Sequence, residues 1–132
     1  MKKKGNICDY THERDIELCK SFRRHIAEAT FIHLPDIFRK VASSPARRFY
    51  VSEQRAALVI SQWRSSGKLA VASPLRRRMF EEIAGRADRI MHENPLTSFS
   101  DAVFEAVNSP APSFYITPGS ARTLIYRALN LQ

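Results

Sequence analysis

The sequence SPARRFYVS at residues 44–52 returns as SPAPSFYIT at residues 109–117, and this recurrence decides the expected fold. Five of the nine positions are identical, and Val-Ser in the first copy becomes Ile-Thr in the second. A stretch that returns at a long fixed spacing indicates an internal repeat, in which each copy forms one supersecondary unit. We therefore expect the chain to be a diverged duplication.

The match extends in both directions from these segments. Downstream it continues without a gap and aligns three apolar residues with three others: Ala56, Val59 and Ile60 with Ala121, Leu124 and Ile125. Upstream, the deletion of one residue brings Ile37 and Phe38 onto Val103 and Phe104. Equivalent burial is the expected consequence, and the predicted core positions are Phe38, Phe49, Ile60, Phe104, Phe114 and Ile125.

Each half of the chain is predicted to hold three helices. Apolar residues recur at steps of three and four, and capping residues mark the helix ends. These patterns predict helices over residues 13–30, 35–43, 53–64, 75–93, 100–108 and 118–130. The Phe-Tyr segments are β-prone but short, so we expect extended links before the third helix of each half. The predicted fold class is therefore all-α, with two related three-helix repeats packed as one globule.

Three segments follow from this organisation. Residues 1–12 are predicted to form a basic N-terminal arm, residues 13–66 the first helical repeat and residues 67–132 the second. The clearest break between the repeats is Ser65-Ser66-Gly67-Lys68, because small polar residues and glycine disfavour helix. Both repeats together are expected to form one compact domain.

Charge is the main compositional signal for a partner. The chain has 21 Lys and Arg against 13 Asp and Glu, which gives a net charge of +8. Such a field attracts polyanions, and DNA is the partner it favours most. The charge is uneven, with +6 in residues 1–66 and +2 in residues 67–132. A general solubility charge is the alternative interpretation.

Several classes of protein are disfavoured by the same sequence. No apolar run is long enough to span a bilayer, so we expect no membrane partner and a cytoplasmic location. Two cysteines do not make a disulfide framework. Cys19 lies on the apolar stripe of the first predicted helix, which favours a buried structural thiol over a metal ligand. No Gly-x-Ser-x-Gly elbow and no phosphate-binding glycine loop occur, so we expect neither catalysis nor a cofactor.

Basic residues mark the predicted nucleic-acid site. Arg47, Arg48 and Arg55 of the first repeat have Pro112, Ser113 and Ser120 as their counterparts in the second. A helix, a connection and a helix whose first turn carries Arg55 resemble the layout of a helix-turn-helix, although a nine-residue connection is long for that motif. Arg76-Arg77-Arg78 begins a helix, where cations are unfavourable unless a phosphate or the nearby Glu81 and Glu82 compensate. The predicted contacts are Arg47, Arg48, Arg55, Arg64, Lys68, Arg76, Arg77 and Arg78.

Two alternatives stay open at this point. The Phe-Tyr pairs can stack on single-stranded bases, but both halves keep them while only one keeps the arginines, which favours packing in the core. The chain as a whole can be a protein-interaction or structural module, including a self-associating one, with no role in nucleic-acid binding.

The doubled Ser-Pro-Ala-x-x-Phe-Tyr-Val-Ser pattern, joined by an arginine-rich helix, resembles a family of small basic bacterial proteins to which no activity is attached. The resemblance spans residues 13–130. It implies the doubled helical fold and a bacterial source, and it implies no catalytic residue.

Overall fold

Six helices make up the part of the chain that the computed structural model describes, which is the backbone of residues 2–130 and the side chains of residues 10–130. The helices are α1 (Lys2–Glu28), α2 (Leu34–Ala42), α3 (Glu53–Ser66), α4 (Pro74–Glu93), α5 (Phe99–Val107) and α6 (Pro118–Asn130). No strand occurs among these residues. The predicted all-α fold class is confirmed.

Capping residues fix most helix boundaries where the sequence predicts them. The side chain of Ser52 accepts a hydrogen bond from the backbone N–H of Arg55 (3.1 Å), and Ser73 accepts one from Arg76 (3.3 Å). These bonds satisfy donors that the first turn of a helix leaves unpaired. At the other end of α3, Gly67 takes the left-handed conformation (φ 75°) that favours glycine and ends the helix.

The first helix is longer than predicted. It begins at Lys2, so the segment predicted as a basic arm over residues 1–12 is helical from Lys2 onward. The expected start at residue 13 rested on the apolar stripe, and such a stripe marks only the part of a helix that packs on a neighbour, not the residue where the helix begins. The side chains of Lys2 to Lys4 lie outside the described residues.

The helices pack into two compact units that differ from the predicted halves. One unit, here called the discontinuous unit, comprises Met1–Ala46 and Pro112–Gln132; the other, the continuous unit, comprises Arg47–Ala111. In the discontinuous unit α1, α2 and α6 pack against one another, and in the continuous unit α3, α4 and α5 do so. Each unit therefore takes two successive helices from one half of the sequence and its third helix from the other half.

This packing overturns the predicted helix-turn-helix layout. In that motif the second helix packs on the helix that precedes it. Here α2 packs against α1 and α6, whereas α3 packs against α4 and α5. The apolar side of α3, formed by Ala56, Val59 and Ile60, is buried in the continuous unit.

The continuous unit is held by a core around Phe49. This ring is buried, and the Arg86 guanidinium lies 4.9 Å from its centroid. The backbone N–H of Phe49 donates to the carbonyl of Val107 (3.0 Å), which ties the link before α3 to the end of α5. The Arg86 side chain also donates to Ser109 Oγ (2.9 Å). The unit thus closes around the Phe-Tyr segment that the sequence repeat singled out.

The discontinuous unit is held by a group of aromatic rings from its three helices. Phe22 stacks on Phe38 with ring centroids 5.3 Å apart, and Tyr126 of α6 meets Phe38 edge-on at 5.6 Å. Ser21 of α1 and Ser44 share a buried hydrogen bond of 3.0 Å. These contacts join α1, α2 and α6 into one core.

One predicted core residue is exposed. Phe104 is 57% accessible, whereas its neighbour Val103 is fully buried. Helices α2 and α5 have equal length and lie 65 residues apart at both ends, so their alignment needs no deletion. In that register Val103 takes the place of Phe38, and Phe104 points outward. The other predicted core residues are buried: Phe38, Phe49, Ile60, Phe114 and Ile125.

Candidate nucleic-acid interface

All eight basic residues predicted to bind nucleic acid lie in the continuous unit. Seven of these side chains are exposed, and Arg48 is half-buried. The contacts of the individual residues separate those that hold the fold from those that can meet a ligand.

Arg48 holds the backbone of its own link. Its Nε donates to the carbonyl of Phe49 (3.0 Å) and its Nη2 to that of Val51 (2.8 Å). The guanidinium also lies 5.8 Å from the centroid of the Tyr50 ring. Arg48, one of the predicted nucleic-acid contacts, is thus bound to its own link, because a link without helix or strand leaves carbonyls that need donors.

Replacing Arg48 should therefore lower stability more than replacing the exposed Arg55. We expect Arg48→Ala to lower the free energy of unfolding by about 1–3 kcal/mol, since it removes charged donors from two carbonyls. Arg55→Ala removes the same charge from an exposed site and should change stability by no more than about 0.5 kcal/mol. Urea unfolding of both variants measures the difference. Equal losses would contradict the structural role of Arg48.

Arg64 lies apart from the other arginines. It forms an ion pair with Asp88 of α4, and its guanidinium is 5.3 Å from the centroid of the Phe99 ring. Asp88 is ten residues beyond Arg78 in α4, which corresponds to about 15 Å along the helix axis. Arg64 is thus paired internally and distant from the run of three arginines.

The basic residues at the start of α4 do come together. Arg77 Nη1 donates to the carbonyls of Leu69 (2.6 Å) and Val71 (3.2 Å), so the segment before α4 runs beside its first turn. These bonds bring the backbone next to Lys68, the neighbour of Leu69, within reach of the arginine run. We call Lys68, Arg76, Arg77 and Arg78 the α4-start cluster.

No described carboxylate forms an ion pair with this cluster, and Glu81, three residues beyond Arg78, is the nearest acid along α4. Glu82, one of the two predicted compensating acids, pairs instead with Arg86 at 2.9 Å. Of the described carboxylates, none lies within ion-pair distance of a cluster cation, and the first turn of α4 contains no acidic residue. Arg76 lies over the Phe80 ring at 5.5 Å. The positive potential of the helix N-terminus therefore adds to that of the four cations.

The remaining predicted residues form a third group near the start of α3. Arg47 and Arg55 are exposed, and the backbone N–H of Arg55 is the donor that Ser52 caps. The predicted site is thus divided among the α3 start, the Arg64–Asp88 pair and the α4-start cluster, and only the last brings four of its members together.

The buried thiol predicted at residue 19 is confirmed. Cys19 is free and buried, and burial raises the pKa of its thiol, which keeps it protonated near neutral pH. Over the described residues, no group of three or more His, Cys, Asp or Glu side chains could hold a metal ion. In the same part of the chain, every helix is too short or too polar to cross a bilayer.

Sequence reasoning missed a cleft on the discontinuous unit. It has a volume of about 440 Å³ and lies between α2 and α6. Because these helices come from opposite halves of the sequence, no local pattern brings them together. The exposed apolar pair Phe31-Ile32, just before α2, was the available signal.

Comparisons with protein-family models, with curated proteins and with solved structures give no match. The resemblance to a family of small basic bacterial proteins stays a prediction.

Proposed function

We propose that this chain is a non-catalytic nucleic-acid-binding protein, that its ligand is DNA, and that the α4-start cluster makes the principal phosphate contacts. The observation that carries the proposal is the set of four cations around the positive end of α4, none of which forms an ion pair with a described carboxylate. A phosphate group would supply the missing negative charge and accept hydrogen bonds from the arginines.

The unfavourable electrostatic energy of cations at the start of α4 supports the presence of an anionic ligand. A cation in the first turn of a helix is disfavoured by about 0.3–1 kcal/mol through the helix dipole. Arg76 and Arg77 stand in this turn and Arg78 follows it directly; among the described residues, Arg77 alone of the three binds backbone carbonyls through its side chain. Within the described residues, the exposed side chains of Arg76 and Arg78 form no hydrogen bond or ion pair, so both raise the local positive potential.

The proposal includes an internal duplication in which the two halves exchange their third helices. Helices α1 and α4 end 65 residues apart, the same spacing that separates α2 from α5. Equivalent hydrogen bonds follow the second helix of each half: Ser44 Oγ donates to the carbonyl of Val41 and Ser109 Oγ to that of Ala106, both at 2.6 Å. Each three-helix unit would then be completed by a helix from the other repeat.

A DNA titration that varies salt tests the proposed function. We expect the intact chain to bind a random 25-base-pair duplex in the micromolar range at low salt, with affinity falling steeply as salt rises. The variant Lys68→Ser, Arg76→Ser, Arg78→Ser spares Arg77, which holds the backbone. Its slope of log K against log salt should be smaller by about three units, one for each lost phosphate contact. Fluorescence anisotropy gives both quantities.

A second triple variant removes the same charge elsewhere. Arg24, Arg89 and Arg127 are exposed and lie outside the α4-start cluster, so replacing all three with Ser should leave most of the affinity and slope intact. Equal losses in the two variants would mean that net charge alone explains binding, and the assigned site would be wrong. A single-stranded competitor of equal length reports the strand preference.

A second candidate function, protein interaction, is favoured by a separate observation. The cleft between α2 and α6 has an apolar lining and adjoins exposed apolar side chains, and neither feature suits a phosphate backbone.

A further inference from the structure

The cleft of the discontinuous unit has an aromatic floor and a single charged residue in its lining. Phe38 and Tyr126 form the floor, where their rings meet edge-on at 5.6 Å. Arg122 lies over the outer ring, with its guanidinium 5.4 Å from the Tyr126 centroid. Leu34, Pro35 and Pro118 complete the apolar walls. At about 440 Å³, the cleft is large enough for one or two large side chains of a partner.

Apolar surface extends beyond the cleft. Leu34, which lines it, is 40% exposed, and the preceding Phe31 and Ile32 are 81% and 52% exposed. A run of large exposed apolar side chains beside a concave site is typical of protein-interaction surfaces. Phe31 and Ile32 are exposed outside the lining of the cleft, which favours a chain segment over a small molecule as the occupant.

The charge around the cleft lacks a negative partner. Arg122 is exposed, and among the described residues it forms no ion pair. The segment Pro112–Gln132, which contains α6, has no Asp or Glu at all. The Asp36 carboxylate, on α2, is already engaged by Arg39 and His33, and these bonds hold its pKa below the usual range.

The continuous unit contains a comparable contact between a guanidinium and a ring, and there a carboxylate is also present. There Arg64 also lies over an aromatic ring, that of Phe99, at the side of a cleft that Met91 helps to line. In that place Asp88 supplies the carboxylate and pairs with Arg64. At the α2–α6 cleft the ring and the guanidinium are present, but the carboxylate is missing, so the complementary group is one that a ligand would bring.

We propose that the α2–α6 cleft docks an acidic amphipathic segment of a partner protein, with a Leu or aromatic side chain inserted between Pro35 and Pro118 and a neighbouring carboxylate bound to Arg122. A buried apolar or aromatic anchor with a paired charge at its edge is the usual source of affinity in such grooves. This site lies on the discontinuous unit and is independent of the DNA-binding proposal.

A nucleic-acid segment fits the cleft less well. Arg122 is the one cation in the lining, whereas phosphate backbones are held by several cations in a row. Leu34, Pro35 and Pro118 offer no side-chain hydrogen-bond donor to a base edge. An acidic apolar peptide satisfies both the aromatic floor and the single guanidinium.

A random 12-residue peptide library displayed on phage, selected against the intact chain, tests this inference. We expect enriched peptides to combine Leu or aromatic residues with Asp or Glu, and a synthetic copy to bind with micromolar affinity. Arg122→Glu, at an exposed residue, and Leu34→Ser, at a partly exposed one, should each weaken that peptide by at least about tenfold. Arg127→Glu changes charge equally on the same helix, lies outside the cleft and should have less than about a twofold effect.

Three results would overturn the proposal. The first is a selection that enriches no peptide, or basic peptides only. The second is an equal loss of affinity in Arg122→Glu and Arg127→Glu, which would indicate net charge. The third is displacement of the peptide by single-stranded DNA whose own affinity falls in Arg122→Glu, which would make the cleft a nucleic-acid site. The variant Lys68→Ser, Arg76→Ser, Arg78→Ser should bind the peptide normally, so failure here and failure of the DNA proposal are separable.

Discussion

Replacing Phe49 with Ala should lower the free energy of unfolding by about 3–5 kcal/mol, because the change removes a large buried ring and leaves a cavity that the core can fill only in part. Phe49 is 1% exposed, and its backbone amide holds the link to α5. Arg86 covers the ring and would lose that contact. Urea unfolding followed by far-UV circular dichroism measures the loss.

Phe104 provides the matched control. It is a phenylalanine in the same unit, it is 57% exposed, and the sequence alignment with one deletion assigned it to the core. Phe104→Ala should change stability by about 1 kcal/mol or less, since most of its ring is already in water. A loss equal to that of Phe49→Ala would mean that the gap-free register of α2 and α5 is wrong.

The contrast between these two residues shows how much the sequence could predict. Capping residues such as Ser52 and Ser73 act through local hydrogen bonds, so α3 and α4 begin within one residue of the predicted positions. Apolar spacing likewise located Ile60 in the core, and the recurrence of the Phe-Tyr segment located Phe49 there. Capping and spacing depend on neighbours a few residues away, and the repeat can be found by comparing the sequence with itself.

The same reasoning could not predict which helices pack against one another. An amphipathic stripe says that a helix has a buried side, but it does not say which helix covers that side. The partners of α3 are α4 and α5, and those of α6 are α1 and α2. The α2–α6 cleft and the separation of Arg64 from the α4-start cluster both follow from this pairing, so neither could be predicted.

The sequence also does not reveal which arginine side chains bind backbone carbonyls. The sequence marks Arg48 and Arg77 as two more cations in a basic region, yet each donates to two backbone carbonyls. Segments without helix or strand must find donors for their carbonyls, and a nearby guanidinium can serve two at once. Net charge therefore overstates the number of cations that a phosphate can reach.

The pairing of helices leads to the largest effect that we expect. A fragment of residues 47–111 contains all three helices of the continuous unit and should keep a helical spectrum and a cooperative urea transition as a monomer. Fragments 1–66 and 67–132 follow the sequence halves, and each separates a third helix from the two helices that bury it. Neither should fold cooperatively alone, because each lacks the helix that completes its core, and a core of this size cannot lose a helix and stay folded.

Mixing the two half-chain fragments should restore the missing contacts. Fragment 1–66 brings α3, with Ala56 and Ile60, to α4 and α5, while fragment 67–132 brings α6 to α1 and α2. The helical signal should therefore rise on mixing and depend on concentration, since association now supplies the core. Helix α6 is a poor substitute for α3 in fragment 67–132, because Val103 there stands in the place of Phe38, the ring that Tyr126 meets edge-on in the intact chain. Cooperative folding of monomeric 67–132, with no gain on mixing, would show that each half carries its own third helix and that the exchange of helices is wrong.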